Sequence, residues 1–237
     1  MGPFFLKLSI KENIKILKER IGEICAKKGR REEITIVAVT KGISVEKIRE
    51  AIASGIKIIG ENRVQEAFSK YQIIGEEVAW HMVGHLQTNK VKKALQFFQM
   101  IQSVDSLHLA LEIDKHAREK NKVVPVLIEV NTSGEATKFG VPPDKLFSLL
   151  EKILPLKQIK VLGLMTLGPG LAVVDPEKSR KPFRQLWELR EKIREKFQLP
   201  PSQFSILSMG MSSDYEVAIE EGANMIRIGT AIFGKRD

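Results

Sequence analysis

The sequence predicts a single α/β domain folded as a (β/α)8 TIM barrel, with one additional helix at its N-terminal side. Three observations predict it. Eight short runs rich in Val and Ile recur from Ile34 onward, each of strand length. Amphipathic stretches of helical length separate them, so each strand joins a parallel neighbour by a right-handed crossover, and seven such units on eight strands curl toward closure. The alternation nearly uses up the 237 residues, so 1–237 is expected to be one domain.

The first element is a helix over about 8–28, where Ile10, Ile14, Leu17, Ile21 and Ile24 form one apolar stripe. Preceding the first strand, it packs outside the barrel and can occupy the position left by a missing helix after the eighth. The strands are ITIVAVT (34–40), IKIIG (56–60), VAWHMVG (78–84), MIQSV (100–104), VVPVLIEV (123–130), IKVLGLMT (159–166), FSILSMG (204–210) and MIRIG (225–229). Helical patterns lie between them at 45–53, 63–74, 88–98, 106–120, 143–153, 177–197 and 213–221. The alternative, an open doubly wound sheet, announces itself with a glycine-rich phosphate turn after the first strand. Here that strand ends in Thr40, Lys41 and Gly42, and no GxGxxG or P-loop occurs. The most irregular stretch, GPGLAVVDPEKSRKP (168–182), reads either as a surface loop or as a mobile lid beside the barrel mouth.

Composition narrows the class. With 43% apolar and 28% charged residues the chain is an ordinary globular protein, which excludes low-complexity readings. The single cysteine, Cys25, allows neither an internal disulfide nor a cysteine zinc cluster, and a reducing, cytoplasmic setting is expected. Lysines interrupt the apolar residues at the N-terminus, so neither an export signal nor a membrane span is expected. The formal charge of +9 is uneven: residues 1–31 carry nine Lys or Arg against three Glu, and the remainder is only +3. That segment is either the solvated outer face of a packed helix or a phosphate-binding surface.

In this fold the carboxyl ends of the strands form the active face. They carry Lys41, Glu61 with Asn62, His85, Asp105, Asn131, Met165 with Thr166, Met209 to Ser213, and Gly229 with Thr230. Asp105-Ser106 and Ser212-Ser213 have the chemistry of helix caps. Lys41 closes an apolar strand; at the rim of the interior, desolvation favours its neutral amine, a nucleophile toward aldehydes, while a lysine reaching to solvent is the plain alternative. Arg227 alternates with Ile226 and Ile228, so it faces away from them. If inward, its guanidinium requires an acceptor such as an unprotonated ring nitrogen, or else an ion pair with Glu61 or Glu129. The loops after the seventh and eighth strands, with Ser212, Gly229 and Thr230, have the makings of the fold's usual phosphate site. An aldehyde, a ring nitrogen and a phosphate together describe pyridoxal 5′-phosphate (PLP).

The segments VAVTKG (37–42), IGENRVQEA (59–67), WHMVGHLQTNK (80–90), IQSVDS (101–106), EVNTSGEATKFG (129–140), GLMT (163–166), LSMGMSSDYEVAI (207–219) and RIGTAIFG (227–234) resemble the pyridoxal phosphate homeostasis protein family, also called the YggS/PROSC family. The resemblance spans nearly the whole chain. It implies a barrel like the N-terminal domain of alanine racemase, binding PLP without an established catalytic activity. Carried over by position, Lys41 is the Schiff-base lysine and Arg227 the arginine facing the pyridine nitrogen. Ser212, Gly229 and Thr230 hold the phosphate, and Asn62, His85 and Met209 line the surroundings of the ring. Lys138 matches a family lysine implicated in cofactor handling. Gln102 stands where the family often has His, and Thr40 and Thr88 where it often has Ser, so Gln102 is given no role.

An arginine at the ring nitrogen leaves it unprotonated and the electron sink weak. A racemase of this geometry compensates with a second base, typically a tyrosine from another domain, whereas Tyr71 and Tyr215 both fall on predicted helices. The expectation is therefore an intracellular carrier or regulator of PLP and vitamin B6, not an enzyme, acting as a monomer with amino acids and PLP-dependent apo-enzymes as partners. Two alternatives stay open: a low-activity racemase or lyase with Lys138 or His85 as base, and a nucleic-acid module using the basic N-terminal segment.

Overall fold

The structure, a computed structural model, describes residues 8–235; Lys7 of the basic segment lies outside them. Its elements in order are α1 (Ile10–Lys27), β1 (Thr35–Val39), α2 (Val45–Ala53), β2 (Ile58–Glu61), α3 (Val64–Ile74), β3 (Ala79–Met82), α4 (Val91–Ala94), β4 (Met100–Val104), α5 (Leu107–Glu119), β5 (Val124–Glu129), α6 (Leu146–Ile153), β6 (Ile159–Met165), α7 (Arg180–Lys196), β7 (Ile206–Ser208), α8 (Tyr215–Glu220), β8 (Met225–Ile228) and α9 (Thr230–Phe233). The eight strands are parallel in sequence order and close through β1 and β8, the predicted (β/α)8 barrel.

Two cores follow from the alternation of side chains along each strand. Outward residues such as Ile59, Ile101, Ile128, Ile226 and Ile228 pack under the helices in the larger core. Inward residues form a smaller one from Val37, Val83, Met100, Leu127, Met165 and Met225. Polar side chains share the interior with these apolar ones, at the same levels of the strands: His81, Gln102, Glu129, Ser208 and Arg227 are all buried.

Helix α1 begins where Ser9 and Glu12 form a capping box. Its stripe of Ile10, Ile14, Leu17, Ile21 and Ile24 is buried, and the helix packs against α2, α8 and α9, so it fills the outer layer beside β8. Of the eight cations in residues 8–31, four are paired: Arg20 with Glu216 and Glu23, Lys15 with Glu19, Lys28 with Glu220 and Arg30 with Glu32. The packed, solvated outer face is thus the reading that fits the basic segment.

Two predicted elements differ. The helix expected over 88–98 shrinks to a 3-10 turn, Thr88–Lys90, and α4. Phe97 and Phe98, consecutive and both buried, pack with each other, and Phe97 also meets Tyr71 and the fully buried Trp80. Consecutive side chains on a helix point about 100° apart and do not face each other, so this ring-on-ring contact does not suit a continuous helix. The irregular stretch after β6 contains two 3-10 turns, Gly170–Val173 and Pro176–Ser179. It is tied down by a bond from the Ser179 hydroxyl to Asp214 Oδ2 at 2.6 Å and by the Gly170 N–H to the Glu135 carboxylate at 3.3 Å. No helix among the described residues is long and apolar enough to cross a membrane.

Candidate functional site

The strand registers bring the predicted residues to one end of the barrel. On the β1–β8 seam Val37 pairs with Arg227 and Ala38 with Ile228, while on the other flank of β1 Val39 pairs with Gly60. Lys41 therefore follows a strand flanked by β2, which leads into Asn62, and by β8, which leads into Gly229 and Thr230. It is half-buried, and no hydrogen bond or ion pair engages its amine among the described residues.

Arg227 is 3% exposed and points into the barrel. The alternative of an ion pair with Glu61 or Glu129 is not what forms. Its Nη1 donates to Ser208 Oγ and its Nη2 to the Thr166 carbonyl, both at 2.7 Å. Two of the five guanidinium N–H groups are used, which leaves three. Burial pulls its pKa down to about 10, opposed by Glu129 and Asp214, so it stays cationic at neutral pH.

Beneath it runs a polar chain absent from the sequence-based site. Ser208 Oγ donates to Gln102 Oε1 at 2.6 Å, and Gln102 Nε2 lies 2.9 Å from His81 Nδ1. With the amide as donor, Nδ1 is the acceptor, which fixes His81 as the neutral Nε2–H tautomer. Burial agrees, pushing its pKa down to about 4. Gln102, given no role from sequence, thus orients the Ser208 hydroxyl that accepts from Arg227. The available signal was a polar residue two positions after Met100 on an inward-facing strand.

Glu129, at the end of β5, is 4% exposed. Burial raises its pKa to about 7, helped by Asp105 and opposed by Arg227. His85 stands on the rim, its Nδ1 3.2 Å from Asp105 Oδ2. The Phe139 ring stacks on it at 4.0 Å and 11°. The loop bearing Phe139 also carries Lys138, which donates to the Gly168 carbonyl and pairs with Glu135.

Past β7, Gly210 takes φ 93°, and a Cβ there would come within 2.5 Å of Ala218 Cβ. Its carbonyl accepts from the Arg227 N–H at 3.0 Å. Ser106 caps α5 as expected, but Ser212 and Ser213 do not cap α8, whose N-cap is Asp214. Ser212 Oγ instead accepts the N–H groups of Gly229 at 3.2 Å and Ala231 at 3.1 Å, serving the start of α9. Hydroxyl and backbone donors from the loops after β7 and β8 are thereby gathered in one place, with Thr230 exposed among them. Met209 is the exception: its side chain is fully buried in the outer core, so it borders the mouth through its backbone.

Asn62 Oδ1 is buried and has no hydrogen-bond partner. The side chains of Asn62, Arg63, Met82, His85 and Lys90 line a cavity of about 320 Å³ beside β2 and β3. No cluster of three or more His, Cys, Asp or Glu is placed to hold a metal ion among the described residues. An amine with no partner, the hydroxyls of Ser212 and Thr230, which donate to no group among the described residues, and a buried guanidinium with N–H groups to spare suit a ligand bearing a carbonyl, an anionic group and a ring acceptor.

Residues 8–237 match the family model of the alanine racemase N-terminal domain. A pyridoxal phosphate homeostasis protein of Aquifex aeolicus is 45% identical over 227 residues, covering 95% of this chain and 97% of the relative. PipY of Synechococcus elongatus with PLP bound superposes with a TM-score of 0.82 at 32% identity, covering 95% of this chain and all of that one. An alanine racemase of Clostridium difficile shares the fold, with a TM-score of 0.75 at 17% identity, over 57% of its own length.

Proposed function

Since the chain belongs to the alanine racemase N-terminal domain family and to its pyridoxal phosphate homeostasis branch, we propose that it binds PLP at the barrel mouth and acts as an intracellular carrier or regulator of the cofactor. The observation that carries this is the unengaged amine of Lys41, on the turn after β1 between β2, which leads into Asn62, and β8, which leads into Gly229 and Thr230 beside Ser212. Lys41 would take the aldehyde, Ser212, Gly229 and Thr230 the phosphate, and Arg227 the ring nitrogen. Asn62 and His85 would flank the ring, and Met209 would border it through its backbone.

When bound, the group supplies an electrophilic carbonyl on an electron-withdrawing ring. The chain's own residues limit how far that chemistry goes. Arg227 donates and stays protonated, so a ring acceptor facing it receives no mobile proton. Neither of the two tyrosines serves the mouth: Tyr71 packs on Trp80 and Phe97 under the helices, and the Tyr215 hydroxyl points to Glu216 at 3.4 Å. These features favour holding and releasing the cofactor over racemisation. Residues 1–237 then act as one cytoplasmic domain and as a monomer, with amino acids and apo-enzymes as exchange partners.

Borohydride reduction after incubation with PLP, followed by mass mapping, tests the assignment. The expected label is on Lys41, and Lys41→Ala should lose the visible absorbance while keeping phosphate-dependent affinity. Label on another residue, or none, overturns it.

A further inference from the structure

Lys41 occupies the second position of a turn, Thr40 to Ile43, closed by the Ile43 N–H to the Thr40 carbonyl at 2.9 Å. Gly42, at the third position, has φ 69°, a conformation that a residue with a Cβ adopts only with strain. Three side chains from the β2–α3 unit grip this turn from outside. Lys70 Nζ donates to the Thr40 carbonyl at 2.6 Å, to Glu61 Oε1 at 2.7 Å and to Glu66 Oε1 at 2.8 Å, which uses all three ammonium protons. Glu66 Oε1 also accepts the Gly42 N–H at 2.6 Å, and Glu61 Oε1 accepts the Thr40 hydroxyl at 2.6 Å. Both peptide units beside Lys41 are therefore held by charged groups, and Lys70 and Glu61 are buried.

We propose that Glu61, Glu66 and Lys70 are positioning residues for Lys41: they fix the backbone on either side of it so that its amine is presented in one place. A fixed origin removes the orientational search that a lysine on a loose loop would pay before each encounter with a carbonyl. Burying two carboxylates and an ammonium is expensive unless each is paired. This trio spends its bonds on a turn rather than on helix packing. Even so, Glu61 Oε2 is left without a partner. The role rests on the PLP assignment of Lys41, and the clamp itself is a matter of hydrogen bonds among the chain's own groups.

The test uses the full chain with two sets of changes. Glu66→Gln removes one carboxylate at a partly exposed position, and Glu61→Gln with Lys70→Met removes the buried pair together, leaving only the partly exposed Glu66 carboxylate on the Gly42 N–H. Two readouts are taken. The first is the rate of cyanoborohydride trapping of PLP on Lys41, mass-mapped from pH 6 to pH 10; the second is amide hydrogen exchange of residues 41–43 without PLP. The expected result is a trapping rate lowered roughly tenfold with an altered pH profile, and faster exchange confined to the turn. If the double variant does not fold, Glu66→Gln carries the test alone. A folded variant that traps at the unaltered rate with an unaltered pH profile overturns the positioning role, whether or not the turn has loosened. Absence of trapping on Lys41 in the unaltered protein instead overturns the PLP assignment, and the purpose of the clamp falls with it.

Discussion

Replacing Glu129 by Gln should raise stability relative to wild type by more at pH 8 than at pH 5. The carboxyl is buried at the end of β5, and burial lifts its pKa from 4.5 to about 7. The folded chain therefore keeps a proton that the unfolded chain gives up near 4.5. Where the folded state binds more protons, stability falls as pH rises, so the loss accumulates between about 4.5 and 7 and persists above. At about 1.4 kcal/mol per pH unit the full difference is about 3 kcal/mol, and allowing for partial relaxation an effect of about 1–3 kcal/mol is expected. Glutamine has the same shape and no charge to desolvate. Any fixed cost of its amide enters at both pH values and cancels in the comparison. His81, held neutral with its pKa near 4, makes the folded state less stable as pH falls below its ordinary 6.5, but equally in both proteins. Urea denaturation at pH 5 and pH 8 measures the two differences. An advantage of Glu129→Gln over wild type that is no larger at pH 8 than at pH 5 would refute the burial argument.

Two further outcomes follow from the interior and the wall. Gln102→Leu removes the acceptor of the Ser208 hydroxyl and the donor to His81, and denaturant unfolding should show a loss of about 1–3 kcal/mol. Trp80→Ala removes a fully buried indole whose Nε1 donates to the Gly75 carbonyl at 2.9 Å and which contacts Tyr71 and Phe97. A loss of about 3–5 kcal/mol is expected, and the remaining emission, from the exposed Trp187, should lie at longer wavelength.

The barrel was legible because buried parallel strands demand β-branched residues and amphipathic segments punctuate them; each predicted run contains its observed strand to within a residue. Arg227 was legible for the same reason, since Ile226 and Ile228 fix the opposite face of a period of two. What period cannot give is the partner. Ser212 looked like a cap for the helix that follows it, yet its hydroxyl serves α9, which is remote in sequence and meets it only once β7 and β8 are neighbours. Gln102 had no apparent purpose until Ser208 and His81 were placed beside it. The clamp left a faint trace: Lys70 lies on the same helical face as Val64, Ala67 and Ile74, all buried, and a lysine on an apolar stripe requires a buried acceptor. Its acceptors, Thr40 and Glu61, were visible only in three dimensions.

The docking of α1 against α8 and α9 sets an order on the birth of the molecule. Its isoleucine stripe is synthesised long before residues 215–233, which form part of its cover. The barrel seam, β1 with β8, likewise joins positions about 190 residues apart. On the ribosome this helix can meet α2 early, but its cover stays incomplete until residues 215–233 have emerged, and contacts so distant along the chain form slowly. A stretch of exposed Ile and Leu beside lysines is then a natural substrate for nascent-chain chaperones, and expression yield should depend more on changes at Ile14, Leu17 and Ile21 than the mature protein's stability does.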